Sequence, residues 1–245
     1  MVDIRLLFNQ FHLDRFWPIP CALCGTTLDD SESQQSSPLC SHCWKRLPWL
    51  GAHCQRCALP MPDSDELVCG QCQQQPPPWG RTFALFQYRE PMRSLIQQCK
   101  YQQQLHTSVS LGRLWSRELR HYLDLNEADA IVPIPLHWRR RWQRGFNQVT
   151  ELLRPMAKEY KLNLQPGWLR RQRYADSQTR MNKKARIRNL RHAFRGNAEK
   201  VRDKHILLID DVMTTGATAR AASQCLLDAG ARKVDIIVLA RTDRS

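Results

Sequence analysis

No run of 18 apolar residues occurs anywhere in the 245-residue chain, so no single helix of it is apolar enough to span a bilayer. A secretory signal is also missing. Asp3, Arg5, Asp14 and Arg15 interrupt the opening MVDIRLLFNQFHLDRFWPIP, where an export signal needs an uncharged apolar block. That stretch reads instead as a short amphipathic helix, with Leu6, Leu7, Phe8, Phe11 and Leu13 available for packing. Acidic residues are scarce in one region. Residues 136–195 hold 17 Lys/Arg against 3 Asp/Glu, an excess of 14 that accounts for the whole formal net charge of +14. The other 185 residues carry 20 of each sign. A stretch this one-sided attracts a polyanion such as a pyrophosphate or a nucleic acid.

What the chain has in excess is cysteine, ten in all, with eight of them in the first 72 residues as four C-x-x-C pairs. Without an export signal, metal binding is expected rather than disulfides. The pairs are Cys21/Cys24, Cys40/Cys43, Cys54/Cys57 and Cys69/Cys72, separated by 15, 10 and 11 residues. Two residues between thiolates let one tight turn present both sulfurs to one ion, and two such turns complete a tetrahedral zinc site. Consecutive pairing gives Cys21, Cys24, Cys40 and Cys43 in one site and Cys54, Cys57, Cys69 and Cys72 in the other. Crossed or nested pairings satisfy the same spacings, but consecutive sites close shorter loops. With four protein ligands each, both sites leave no open position and are structural. The expected organisation is a double zinc-ribbon module over residues 1–75, a Pro-rich linker over 76–82 and an α/β domain over 83–245.

The α/β domain is organised around His205–Thr218, HILLIDDVMTTGAT. Ile206–Ile209 is a run of four apolar residues, expected as a strand covered on both faces of a parallel sheet. It ends in Asp210 and Asp211, followed by Thr214, Thr215, Gly216, Ala217 and Thr218 at the start of a helix. Paired carboxylates accept hydrogen bonds from neighbouring sugar hydroxyls, and a Thr/Gly turn at a helix start offers N–H and O–H donors to an anion. Together they describe a ribose-5-phosphate pocket at the carboxyl end of a strand. A second strand, Ala130–Pro135, delivers the stiff loop Pro133-Ile134-Pro135 to the same sheet edge, ahead of Arg139, Arg140, Arg141 and Arg144. Further strands are expected over Thr82–Tyr88 and Val234–Ala240, and helices over Pro91–Tyr101, Ser108–Leu123 and after Phe146, where Pro155 should kink or shorten the helix. Cys225 reads as a core residue of the helix after Thr218. Leu162–Arg195 has little apolar periodicity and reads as a long functional loop.

The run from Ile206 to Thr218 resembles the phosphoribosyl-pyrophosphate (PRPP) motif of type I phosphoribosyltransferases. Cysteine pairs placed before it, and VPIPLHWRRRWQRGFNQ between, resemble the ComF/GntX family over nearly the whole chain. Val132, Pro133, Pro135, Arg140, Arg144, Gly145, Phe146, Asn147 and Gln148 meet one family pattern; Gln178, Thr179, Arg186, Asn189 and Phe194 meet a later one. The resemblance implies a type I phosphoribosyltransferase-like parallel sheet flanked by helices, behind a small double zinc ribbon. It implies that Asp210 and Asp211 hold the ribose hydroxyls, that Thr214–Thr218 hold the 5′-phosphate, and that Pro133–Pro135 with Arg140 and Arg144 face pyrophosphate and Mg²⁺. Gln178, Thr179, Arg186 and Asn189 then belong to a mobile catalytic loop. It further implies a cytoplasmic role in the uptake or use of external DNA.

Three functions follow, from different classes. They are a PRPP-dependent transferase with an unidentified acceptor, a single-stranded DNA-binding protein that uses its basic stretch, and an adaptor whose ribbons dock DNA-uptake proteins; the expectation is a hybrid of the first two, a PRPP-binding protein that serves the uptake or use of DNA. No residue singles itself out as a base for the acceptor.

Overall fold

Four apolar segments build the central sheet. They are β1 (Thr82–Gln87), β2 (Ala130–Pro133), β5 (His205–Met213) and β6 (Lys233–Arg241), in the spatial order β1-β6-β5-β2, with every pairing parallel. The computed structural model describes residues 20–28, 39–62, 66–101, 111–112, 114–119, 127–136, 147–159, 161–172 and 193–243. β5 and β6 lie inside the sheet and are buried along most of their length, which is why their sequences read as continuous apolar runs rather than alternating ones. The register aligns Ile206 with Val234, Leu208 with Ile236 and Asp210 with Val238. Helix α6 (Ala217–Asp228) packs its small buried side chains, Ala219, Ala221 and Ala222, against this core together with Leu226. Gly230, at φ 102°, follows that helix and turns the chain into β6, as the sequence leads one to expect. Cys225 is only half-buried, at the rim of the core.

The remaining elements differ from expectation in instructive ways. Helix α3 (Met92–Tyr101) lies where it was expected, and residues 111–112 and 114–119 are helical within the expected Ser108–Leu123. Helix α4 (Gln148–Glu159) is not ended at Pro155. It continues to Glu159 although the ring removes a donor, and Val149, Leu152 and Leu153 are buried in the half that precedes the proline. Asn147 caps it, accepting from Val149 N at 3.2 Å. The expected loop over Leu162–Arg195 contains a strand, β3 (Leu169–Arg171), which pairs antiparallel with β4 (Phe194–Gly196) at the loop's far end. A short helix α5 (Ala198–Val201) leads into β5. Residues 76–82, expected as a linker, carry Trp79, which is 3% exposed and belongs to the core of the sheet.

Contacts divide the chain into Met1–Arg46 and Leu47–Ser245. The boundary falls between the two cysteine clusters, so the second cluster shares a compact unit with the sheet. In the first unit, helix α1 (Ser41–Lys45) carries Cys43; in the second, helix α2 (Gly70–Gln74) carries Cys72. Leu47–Leu50 then runs beside the edge strand β1, with Leu50 N donating to Leu85 O and Gln87 N to Pro48 O, both at 2.8 Å. That pairing covers a sheet edge that would otherwise present open backbone groups.

Two close contacts predict large stability effects. Asp235, 3% exposed, accepts from Arg81 N at 2.7 Å and lies 2.9 Å from His205 Nε2 and 2.8 Å from Lys233 Nζ. Asp235→Ala is expected to destabilise the sheet by about 3 kcal/mol, since it leaves the buried His205 ring and the part-buried Arg81 N–H without their acceptor. A chemical denaturation curve measures it. Gly112 approaches α4 so closely that a Cβ would clash with Leu152 O. Gly112→Ala should therefore cost about 1–3 kcal/mol in the same assay, because backbone rather than a flexible side chain must shift.

Candidate functional site

β5 is longer than the sequence suggests. It runs from His205 through Asp210 and Asp211 to Met213, so the carboxylates sit within the strand rather than beyond it. The physical reason is β6, which keeps pairing with it as far as Met213 opposite Arg241. On the other side β2 pairs no further than Pro133 opposite Ile209, with Ile134 N donating to Ile209 O at 2.8 Å. Among the described residues, Asp210–Met213 thus has β6 on one edge and no β2 partner on the other. The Pro133–Pro135 loop leaves the sheet beside this edge. Pro133 is tolerated because β2 is an edge strand and the prolyl nitrogen faces away from the β5 ladder. Ile131, two residues earlier, uses that outer side to bond Asn163 O and Gln165 N. Asn147 Nδ2 donates to Ile134 O at 3.1 Å and so ties the loop to the start of α4.

Asp210 and Asp211 are both half-buried, and Asp211 N donates to Asp210 Oδ1 at 2.9 Å. Strand alternation sends their side chains to opposite faces. A ligand that reaches both must lie across the open edge. Beyond Met213, Thr214 and Thr215 are exposed, and Gly216 stands before α6 with φ 74° and ψ 4°. A Cβ there would meet only ordinary contacts with Trp79 and Met213, so it is the left-handed backbone that calls for glycine. Thr215 Oγ1 lies 3.4 Å from Ala217 N, and Arg220 N donates to Gly216 O at 2.8 Å to close the first helical turn. The N–H groups of Ala217, Thr218 and Ala219 belong to the first turn, where the helix dipole favours an anion. Asp210, Asp211, Thr214, Thr215, Gly216, Ala217, Thr218 and the Pro133–Pro135 loop are therefore brought to one end of the sheet. Arg140, Arg144, Gln178, Thr179, Arg186 and Asn189 lie outside the described residues, as does the N-terminal stretch with Leu6, Leu7, Phe8, Phe11 and Leu13.

The eight N-terminal cysteines form two clusters by consecutive pairing: Cys21, Cys24, Cys40 and Cys43, and Cys54, Cys57, Cys69 and Cys72. Both are built alike. A knuckle closes with Gly25 N on Cys21 O at 2.9 Å in one and Ala58 N on Cys54 O at 2.7 Å in the other. Gly25 at φ 74° and Ala58 at φ 53° make the same left-handed turn. The second pair of each cluster sits at a helix start, with Cys40 and Cys69 as N-caps. Within each cluster all sulfurs lie within 4.8 Å of one another. The Cys24–Cys40 and Cys57–Cys69 sulfurs are 3.8 and 3.7 Å apart, too far for a disulfide. A tetrahedron with Zn–S bonds of about 2.3 Å has an edge of about 3.8 Å. Without a cation, burial pushes Cys43 and Cys72 well above the ordinary thiol range and Cys57 to about 11. The Thr26 hydroxyl brings Cys24 down to about 6. A divalent cation removes that opposition and holds all four as thiolates. The donor set fits structural zinc.

Family models match a double zinc ribbon domain over residues 12–73 and a phosphoribosyl transferase domain over residues 151–245. The DNA utilization protein YhgH of Escherichia coli (strain K12) is 35% identical over 207 residues, covering 83% of this chain and 90% of that protein. The chain belongs to the ComF family. Another ComF relative, Competence protein F of Haemophilus influenzae, is 30% identical over 84% of this chain and 86% of its own length. Competence protein ComFC of Streptococcus pneumoniae is 29% identical over 90% of this chain and 99% of its own. The sequence gives little sign of two residues of this ComF chain that lie beside the Thr214–Thr218 turn, Trp79 and Arg241. A charged residue closing the apolar run VDIIVLAR was the available signal for Arg241.

Proposed function

We propose that this chain binds PRPP with Mg²⁺ at the carboxyl ends of β5 and β2, and that it serves the uptake or use of external DNA in the cytoplasm. The observation that carries the reading is the succession on one strand end of Asp210 and Asp211, the left-handed Gly216 and the N-terminus of a 12-residue helix. A ribose lying across the open edge of β5 would present its hydroxyls to the two carboxylates. Its 5′-phosphate would take the Thr214–Thr218 donors, and its pyrophosphate the Pro133–Pro135 loop. Asp210 and Asp211 are carboxylates that could also hold Mg²⁺, which would supply charge neutralisation of the pyrophosphate. Arg140 and Arg144 would add to it if pyrophosphate leaves in a transfer reaction. The names of the relatives, DNA utilization and competence proteins, support the pathway.

Calorimetric titration of the zinc-loaded chain with PRPP and Mg²⁺ tests the reading. Saturable binding at one site per chain supports it, and no heat from folded protein sinks it. A second reading rests on the charge excess of residues 136–195. Single-stranded DNA held by that stretch should dissociate steeply as salt rises; binding that ignores salt between about 50 and 200 mM would exclude it.

A further inference from the structure

Two side chains join the second cysteine knuckle to the phosphate turn. Arg241, at the end of β6, is 5% exposed. Its Nε donates to Cys57 O at 2.9 Å. Its Nη1 donates to Met213 O at 3.0 Å, to Thr242 O at 2.7 Å and to Thr214 O. One planar guanidinium thus reaches from the backbone of a cysteine ligand to the first residue of the Thr-Thr-Gly turn. Trp79 makes the second link. Its indole Nε1 donates to Arg56 O at 2.6 Å and Thr82 Oγ1 at 2.8 Å. The far edge of its ring lies 3.7 Å from where a Cβ on Gly216 would stand, and the Arg220 guanidinium sits 5.7 Å from the ring centre. Arg56 and Cys57 are neighbours in the knuckle, and their two carbonyls serve the two links.

The geometry points to Arg241 and Trp79 as positioning residues through which metal binding at Cys54, Cys57, Cys69 and Cys72 sets the conformation, and hence the phosphate affinity, of the Thr214–Thr218 turn. The inference rests on the PRPP reading proposed above. A buried guanidinium and a buried indole N–H follow their acceptors, since leaving either unsatisfied is costly. The acceptors stand in place because Cys54 and Cys57 flank Arg56 and bind one ion. Releasing the ion frees the knuckle, moves both carbonyls and loosens the turn. By linkage the effect is reciprocal: a ligand on the turn tightens the hold of the second cluster on its metal by the same factor. The first cluster belongs to the other compact unit.

The test uses the full zinc-loaded chain. Amide hydrogen exchange is followed without ligand on a peptide over residues 209–219, in wild type, Arg241→Gln, Arg241→Lys, Cys57→Ser and Cys24→Ser. Exchange at 212–218 should rise about tenfold in Arg241→Gln and Cys57→Ser, less in Arg241→Lys, and not in Cys24→Ser. Zinc release from the second cluster, timed with a chromogenic chelator, should slow about tenfold with saturating PRPP and Mg²⁺ in wild type and not at all in Arg241→Gln. A merely structural arginine would leave that ligand effect on zinc intact. Unchanged exchange in Arg241→Gln overturns the inference, and Arg241→Lys decides in its place if the glutamine variant does not fold. Equal loosening by Cys24→Ser overturns it as well. A wild type that binds no PRPP removes the proposed function instead, while the ligand-free exchange still decides the coupling.

Discussion

Asp210→Asn/Asp211→Asn is expected to weaken PRPP binding by roughly a hundredfold to ten-thousandfold while the protein stays folded. Each carboxylate would accept hydrogen bonds from ribose hydroxyls, and a bond to a charged group contributes about 1.5–3 kcal/mol. Two such losses, at about 1.4 kcal/mol per tenfold, give that range. Asparagine keeps the shape and one acceptor oxygen, so the contact from Asp211 N to the side chain of residue 210 can persist. Neither carboxylate is part of the apolar core. Calorimetry reads the affinity and a melting curve reads the fold. An affinity equal to that of wild type would remove the sugar from these two residues. The single variants add a geometric check. Because alternation sends the side chains to opposite faces, a sugar across the open edge loses affinity in both, whereas a ligand lying on one face loses it in only one.

Removing zinc from the second cluster is expected to have the largest effect on stability. Structural zinc sites contribute apparent binding free energies of about 10–16 kcal/mol, and much of that is folding free energy. The two clusters should differ, because Cys54, Cys57, Cys69 and Cys72 share a compact unit with the sheet and Cys21, Cys24, Cys40 and Cys43 do not. Cys54 is fully buried. Cys54→Ser should lower the melting temperature of the sheet by about 10 °C, corresponding to roughly 3 kcal/mol for a unit of this size. Cys24→Ser should leave that transition within about 2 °C. Elemental analysis should find two zinc ions per chain in wild type, given two four-cysteine clusters. The metal should leave as the pH falls, since protons compete for the thiolates. Burial raises Cys43 and Cys72 when no metal is bound, so protons compete there even at neutral pH. Zinc affinity therefore rises with pH through the neutral range. Equal melting temperatures for the two cysteine variants would contradict the packing of the second cluster with the sheet.

Much of this was legible in the chain. The C-x-x-C spacings carried the two four-cysteine sites, and the shorter loops of consecutive pairing favoured the arrangement found over the crossed and nested ones that the same spacings allow. The apolar runs at Ile206–Ile209 and Val234–Ala240 carried the two inner strands, because residues buried on both faces must all be apolar. Gly216 and Gly230 carried the entry and exit of α6, since both adopt backbone angles that other residues rarely take.

The tertiary structure decided what depends on partners distant in sequence. Local pattern ends a strand at Asp210, yet pairing with β6 extends it to Met213, because ladder hydrogen bonds do not require apolar side chains. The QQQPPPWG segment looks like a linker, yet Trp79 is drawn into the core by Arg56 O and Thr82 Oγ1, acceptors that composition does not reveal. Pro155 should kink or shorten its helix, yet the helix continues to Glu159. Arg241 meets Cys57 across 184 positions of chain. A sequence read in windows fixes chemistry and local geometry, but it cannot see which backbone carbonyl a buried cation will find once the sheet has formed.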